Sequence, residues 1–232
     1  MSLTTARWPA DPSLRPNYPA LPLFGFLLLA AIGLVLIVPS PWTTTRLCRF
    51  LCEKVSLPNG RRLRFTGGPG DIWYVTIGIG LLALLPPAAG LAPGLADADP
   101  LLLLLLQVAA AIVDWCLTLA LIHWFVAHLQ SEDRRLSPVF VGGLGAFIGW
   151  QLLAVLSLVT VIGWAWVASG YLRWLCRSIR GNVAFDFTGS GFAILWRTLV
   201  FVVLCSLVLP IPWMLCWLAN WTVSHITVVP AR

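Results

Sequence analysis

Charge is what this sequence has least of. Only 10% of its 232 residues are charged, against roughly 25% in an ordinary soluble domain, while 59% are hydrophobic. That balance excludes a soluble globular protein. Lysine is almost missing as well: Lys54 stands alone against fourteen arginines, the usage of a GC-rich bacterial genome. No CxxC or CxxCH occurs. Cys48, Cys52, Cys116, Cys176, Cys205 and Cys216 fall mostly in or beside apolar runs, so they read as small buried residues and not as a disulfide framework, a metal site or a haem anchor. The sequence also lacks GxSxG, HExxH and any glycine loop ending in GK[ST], which leaves hydrolase, protease and nucleotide-binding readings without their residues. No cofactor and no catalysis are expected. The first twenty residues have no positively charged segment joined to a short apolar core and a cleavage site, so no cleaved signal peptide is read there.

What is present is leucine and tryptophan in long apolar runs, Leu101 to Leu106 among them. The expected fold is an all-α integral membrane protein with about six membrane-embedded helices: Leu21 to Val38, Ile72 to Leu91, Leu101 to His128, Ala146 to Ala168, Phe192 to Leu209 and Pro212 to Val229. A proline-rich segment, 1–20, precedes this single membrane domain. The formal charge of +6 points to anionic lipid headgroups and away from nucleic acid, because basic residues of membrane proteins gather in cytoplasmic loops. The stretch Trp42 to Gly70 holds Arg46, Arg49, Lys54, Arg61, Arg62 and Arg64, whereas Ala92 to Pro100 holds only Asp97 and Asp99. The first is therefore cytoplasmic and the second is not. One conflict follows: if the basic stretches on both sides of Gly145 to Gly170 are cytoplasmic, about 25 residues must leave and return, too few for two crossings at 1.5 Å per residue. A re-entrant or broken helix at Gly163-Trp164 resolves it.

A short motif repeats along the chain. Pro39-Ser-Pro-Trp42, Gly163-Trp-Ala-Trp166 and Pro210-Ile-Pro-Trp213 end apolar helices, and Arg49-Phe50, Arg173-Trp174 and Asn220-Trp221 follow at a constant distance, with His123-Trp124 as a degenerate copy. Then come Phe65-Thr-Gly67, Phe140-Val-Gly142 and Phe187-Thr-Gly189. The repeated helix and hairpin units are expected over 21–70, 101–145, 146–191 and 192–229. Between them, Val55 to Leu57 and Arg61 to Thr66 flank Pro58-Asn59-Gly60, a signal for a small cytoplasmic β-hairpin with Leu63 and Phe65 on one face and Arg62, Arg64 and Thr66 on the other. Val183, Phe185 and Phe187 repeat the alternation. This combination resembles the YjgN-like family of bacterial inner-membrane proteins over most of residues 21 to 209. The resemblance implies a multi-pass helical protein of the bacterial inner membrane and brings no catalytic residues.

Two groups of residues are candidate sites. Gln107, Asp114, Thr118 and His128 fall on one stripe of the third span, and a carboxyl near mid-membrane faces a partner or a watery path. The alternatives are a proton or ion relay toward His128 and, favoured, a structural pair with Arg197. The second group is Arg61, Arg62, Arg64, Arg173, Arg177 and Arg180, expected to contact anionic phospholipid beside glycine-rich helix starts capped by Asp71 or Ser190. Trp73, Trp150 and Trp196 fit interfacial anchors. With no constellation for chemistry, the expected role is an accessory or structural subunit of a larger membrane complex, its partners being other membrane subunits and anionic phospholipids. The alternative is a small transporter or lipid-handling protein using Asp114 and broken helices.

Overall fold

A computed structural model describes residues 11–91, 99–133, 136–160, 162–207 and 209–230. Among the described residues it has eight helices joined by short strand pairs, ordered as four copies of one unit, strand, helix, helix, strand. The first unit is β1 (Arg15–Pro16), α1 (Ala20–Val35), α2 (Ser40–Glu53) and β2 (Val55–Ser56); the second is β3 (Leu63–Phe65), α3 (Pro69–Leu91), α4 (Pro100–Ala127) and β4 (Leu129–Ser131). The third is β5 (Val139–Phe140), α5 (Leu144–Leu158), α6 (Trp164–Ser178) and β6 (Ile179–Arg180); the fourth is β7 (Val183–Phe187), α7 (Gly191–Cys205), α8 (Ile211–Ser224) and β8 (Ile226–Pro230). In every unit the two strands pair with each other, antiparallel. Each helical hairpin thus returns to where it began, and because the links between units are short, all four strand pairs lie at one end.

This pairing corrects the expected hairpins. At Asn59-Gly60 the local turn forms, with Gly60 at φ 80° and the Leu57 amide donating to Arg61 O at 2.7 Å, but only one bridge, Ser56 to Arg62, joins the two arms. Their strand partners lie a whole helical hairpin away: Val55–Ser56 on Arg15–Pro16 and Leu63–Phe65 on Leu129–Ser131. The units accordingly run from strand to strand, and the second fills the stretch 71–100 that the expected units skip.

The helix boundaries have local causes. Pro41, Pro100 and Pro212 stand in the first turns of α2, α4 and α8, where a missing N–H costs nothing. Asp99 caps α4 by accepting from the Leu101 amide, and Ser190 caps α7 by accepting from the Ala193 amide. The Asp71 carboxylate accepts from the Gly68 amide at 3.0 Å, the return half of a capping box. The expected span Ala146 to Ala168 is two helices broken at 159–163, and Pro212 to Val229 is helix only to Ser224 before it turns into β8. Of the helices, Pro100–Ala127, 28 residues, is long and apolar enough to cross a membrane; the apolar runs Ala20–Leu36, Pro69–Leu84, Leu144–Leu158 and Gly191–Cys205 are shorter. Six such spans were expected; breaks at Pro39, Gly163 and Pro210 shorten the helices of the first, third and fourth units, while α3 runs on as helix to Leu91.

The units close into a ring: α2 packs on α3, α4 on α5, α6 on α7, and α8 on α1. The proline-rich start joins in, since the Leu14 amide donates to Ile226 O and the Val228 amide to Pro12 O, both near 2.9 Å, while Leu14 and Tyr18 are buried. Residues 11–19 are therefore part of the domain; the rest of the expected proline-rich segment, 1–10, lies outside the described residues.

The core explains the repeat. Phe65, Phe140 and Phe187 are buried and set their rings edge-on against Trp124, Trp174 and Trp221 at 5.0, 6.0 and 6.4 Å, a favoured aromatic geometry. The glycine two residues on lies under the ring: a Cβ on Gly67 would stand 2.6 Å from both Phe65 and Trp124, and on Gly142 or Gly189 about as close to Phe140 or Phe187. In the first unit the strand register puts Pro16 at the phenylalanine position and Tyr18 at the glycine position, and the Tyr18 ring itself approaches Phe50, 6.5 Å away. Five residues beyond that position stand Leu23, Ile72, Phe147 and Ile194, all buried. The burial of Leu63 and Phe65 against exposed Arg62, Arg64 and Thr66, and of Val183, Phe185 and Phe187 in β7, follows the strand alternation.

Candidate functional site

Eight residues after the glycine position stands one inward side chain of each first helix, and in the first, third and fourth units it meets the second helix of its own unit. Phe26 stacks on Phe50 at 4.6 Å, Val75 is fully buried, and Arg197 lies over the faces of Trp221 at 4.2 Å and Trp217 at 5.6 Å. In the third unit this residue is Trp150. The residue that would oppose it, one turn before Trp174, is Gly170, where the other units have Arg46, Ala120 and Trp217. The Trp150 indole rests on that gap, within 2.6 Å of where a Gly170 Cβ would stand.

A cleft opens around this point. Its volume is about 540 Å³, and its walls include Gly142, Gly143, Trp150, Gly170 and Trp174, with Arg173, Arg177 and Arg180 among its polar groups. A second chamber of about 340 Å³ lies along α5 and α6 toward their turn, lined by Trp115, Trp150, Ala154, Leu158 and Trp164 among others and mostly apolar. Trp150 belongs to both. Volumes of this size are typical of small-ligand sites, roughly 300–1,000 Å³.

The three arginines of the cleft are held differently. Arg173 donates from Nε to Phe187 O at 3.2 Å and reaches Gly189 O at 3.5 Å, so its charge meets carbonyls and no carboxylate. It belongs to a set that ties the second, third and fourth units each to the next: the His123 ring packs on Phe140, and the Asn220 amide oxygen accepts from the Tyr18 N–H of the first unit. Arg177 forms a two-pronged pair with Asp186, at 3.0 and 3.2 Å, and that hydrogen bonding raises its pKa above the ordinary arginine value. Arg180 is exposed and makes no side-chain ion pair or hydrogen bond among the described residues. Three guanidinium groups therefore face one carboxylate.

The remaining expected contacts are spread out. Arg61 pairs with Asp133. Arg62 and Arg64 are exposed on the outer face of β3 without ion pairs among the described residues. They share the strand end with Arg173, Arg177 and Arg180 but lie on another unit.

The expected polar stripe does not assemble into a site. Gln107 is exposed, and Asp114 and Thr118 are half-buried on α4, where Asp114 finds no ion-pair partner among the described residues. His128 stands at the other end of the helix, about 21 Å from Asp114 along the axis at 1.5 Å per residue. Its Nδ1 is within 2.8 Å of Trp124 O, its ring packs on Trp124 and Phe65, and its Nε2 is 3.9 Å from Asp71. Arg197 turns its cation to two tryptophan faces, so the expected pairing with Asp114 is replaced by cation–π contact. No group of three metal-ligating side chains occurs among the described residues.

No family model, no curated protein and no solved structure matches this chain.

The sequence reading missed the cleft because Trp150 reads alone as an interfacial anchor. The signal lay in the repeat: aligning the units on the Phe-x-Gly motif exposes Gly170 as the small member of its column.

Proposed function

We propose that this protein is embedded in the bacterial inner membrane with its strand end at the cytoplasmic face, where it binds and handles anionic lipid. The observation that carries the reading is the segregation along the hairpins. The strand end holds Arg15, Lys54, Arg61, Arg62, Arg64, Arg177 and Arg180, whereas the turns at 36–39, 159–163 and 206–210 carry no charge and expose Val38, Val159 and Leu209 by 69, 81 and 84%. An apolar surface of that extent belongs in hydrocarbon, and cations at one end belong beside anionic headgroups. In this arrangement α3 and α4, of 23 and 28 residues and about 35 to 42 Å, cross a hydrocarbon core of about 30 Å. The hairpins of 14 to 16 residues per helix reach only about 21 to 24 Å, so they enter and turn back. All basic segments then share one side without an extra crossing, in keeping with the positive-inside rule. The kinship with YjgN-like proteins rests on the repeated motif and is part of the same proposal.

The test is to extract the full chain from its membrane into polymer discs and measure its lipids by mass spectrometry against the parent membrane. Anionic lipids are expected to be enriched, and Arg62→Gln with Arg64→Gln to reduce the enrichment. Lipid of bulk composition overturns the reading. If a stoichiometric polypeptide accompanies that bulk lipid, the accessory-subunit role takes its place.

A further inference from the structure

The basic surface of the strand end is shared by several units, and the third unit adds a cleft and a chamber of different chemistry. We propose that this cavity holds one lipid with a phosphomonoester head, the phosphate at Arg173, Arg177 and Arg180 and a hydrocarbon chain in the chamber between α5 and α6. The inference rests on the membrane orientation proposed above and names the ligand class of that site.

Three observations converge. The arginine-lined cleft lies at the strand end and the apolar chamber runs from it toward the helix turn, the same direction in which a cytoplasmic-leaflet lipid points its chain. Trp150 lines both, so head and chain sites adjoin at its indole. A free phosphate would leave the chamber lined by Ala154, Leu158 and Trp164 unused. The charge also discriminates among heads: three guanidinium groups against Asp186 leave two positive charges uncompensated, and a phosphomonoester carries about −1.5 to −2 at neutral pH where a diester carries one negative charge. Arginine suits this task because its planar fork meets phosphate oxygens in pairs. The cleft exists because position 170 is glycine, which lets the Trp150 indole settle against α6.

The full chain in a neutral detergent, titrated calorimetrically with dodecyl phosphate, tests the proposal. One molecule is expected to bind per chain, with inorganic phosphate at least tenfold weaker. Arg180→Gln removes a cation that makes no side-chain ion pair or hydrogen bond among the described residues and is expected to weaken binding about tenfold, while Ala154→Trp, which fills the chain chamber, weakens dodecyl phosphate and leaves inorganic phosphate unchanged. Equal affinity for inorganic and dodecyl phosphate overturns the lipid assignment. Dodecyl phosphate binding that ignores both substitutions overturns the site. In native mass spectrometry from discs, phosphatidic acid is expected to outlast phosphatidylglycerol on the chain; equal retention overturns the monoester preference. Failure here with anionic lipid still enriched in discs leaves the broader function standing, whereas bulk lipid composition together with dodecyl phosphate binding removes the broader function and keeps the cavity.

Discussion

The two ends of the helical hairpins are built on opposite rules. At the strand end Phe187 and Val228 are almost wholly enclosed, aromatic rings meet edge to face, and side chains such as Arg173 and Asn220 cross from one unit to the next. At the turn end the same helices expose large apolar side chains with no protein against them, and the first 18-residue apolar window of α4 has none of its residues buried. One end is therefore organised by the chain packing on itself, and the other by whatever solvent surrounds it. Stability should reside in the first and tolerance in the second.

Phe187→Ala offers the sharpest break in that contrast. Emptying a site that is 1% exposed against Trp221 should cost about 3–5 kcal/mol, read as a loss of the cooperative unfolding transition in mild detergent. Val203→Ala, whose side chain is 66% exposed near the α7 turn, should move the same transition by at most about 0.5 kcal/mol. Comparable losses at both positions would mean the turn end packs against something of its own.

Gly67→Ala forces a Cβ to within 2.6 Å of Phe65 and Trp124 and should destabilise by about 1–3 kcal/mol. Gly149→Ala, on an exposed helical site with nothing within 4 Å, should instead stabilise by about 0.5–1 kcal/mol. Opposite signs in paired thermal melts are the expected result. Arg197→Gln removes a cation lying on two indole faces and should cost about 1–2 kcal/mol; because the partners are tryptophans, the change should also be visible in the near-ultraviolet circular dichroism. Ile37→Gly should raise stability by about 1 kcal/mol, since a β-branched residue at φ 61° sits where a left-handed backbone disfavours a Cβ. Urea midpoints of the two proteins would show a rise for the glycine variant.

Much of this contrast is legible from residue order. The recurring Phe-x-Gly and the aromatic of each second helix mark the strand-end core, because close packing of a ring on a bare Cα permits few alternatives at either position. The breaks at Pro39, Gly163 and Pro210 are equally visible. Strand partners are not: Asn59-Gly60 advertises a local hairpin, whereas β2 finds its partner beyond two helices, and nothing near Val55 encodes that distance. The first unit hides its kinship by replacing phenylalanine and glycine with Pro16 and Tyr18. Asp114 draws attention as a charge in an apolar run, yet its neighbours depend on how neighbouring units pack against α4, which one-dimensional spacing along that helix does not contain. The cleft depended on an absence, the missing side chain at Gly170, which stands out only against its counterparts.

Strands that pair within each unit have a consequence for how such a protein grows. A hairpin whose ends meet at one place can be copied in tandem without its copies alternating in orientation, and each new copy leaves the chain on the face from which it set out. Duplication, loss or exchange of a single unit preserves the sidedness of all the others. The divergence of the third unit, with Gly170 where its sisters have Arg46, Ala120 and Trp217, is the freedom such an architecture gives: one copy can change its lining while the ring of units is kept.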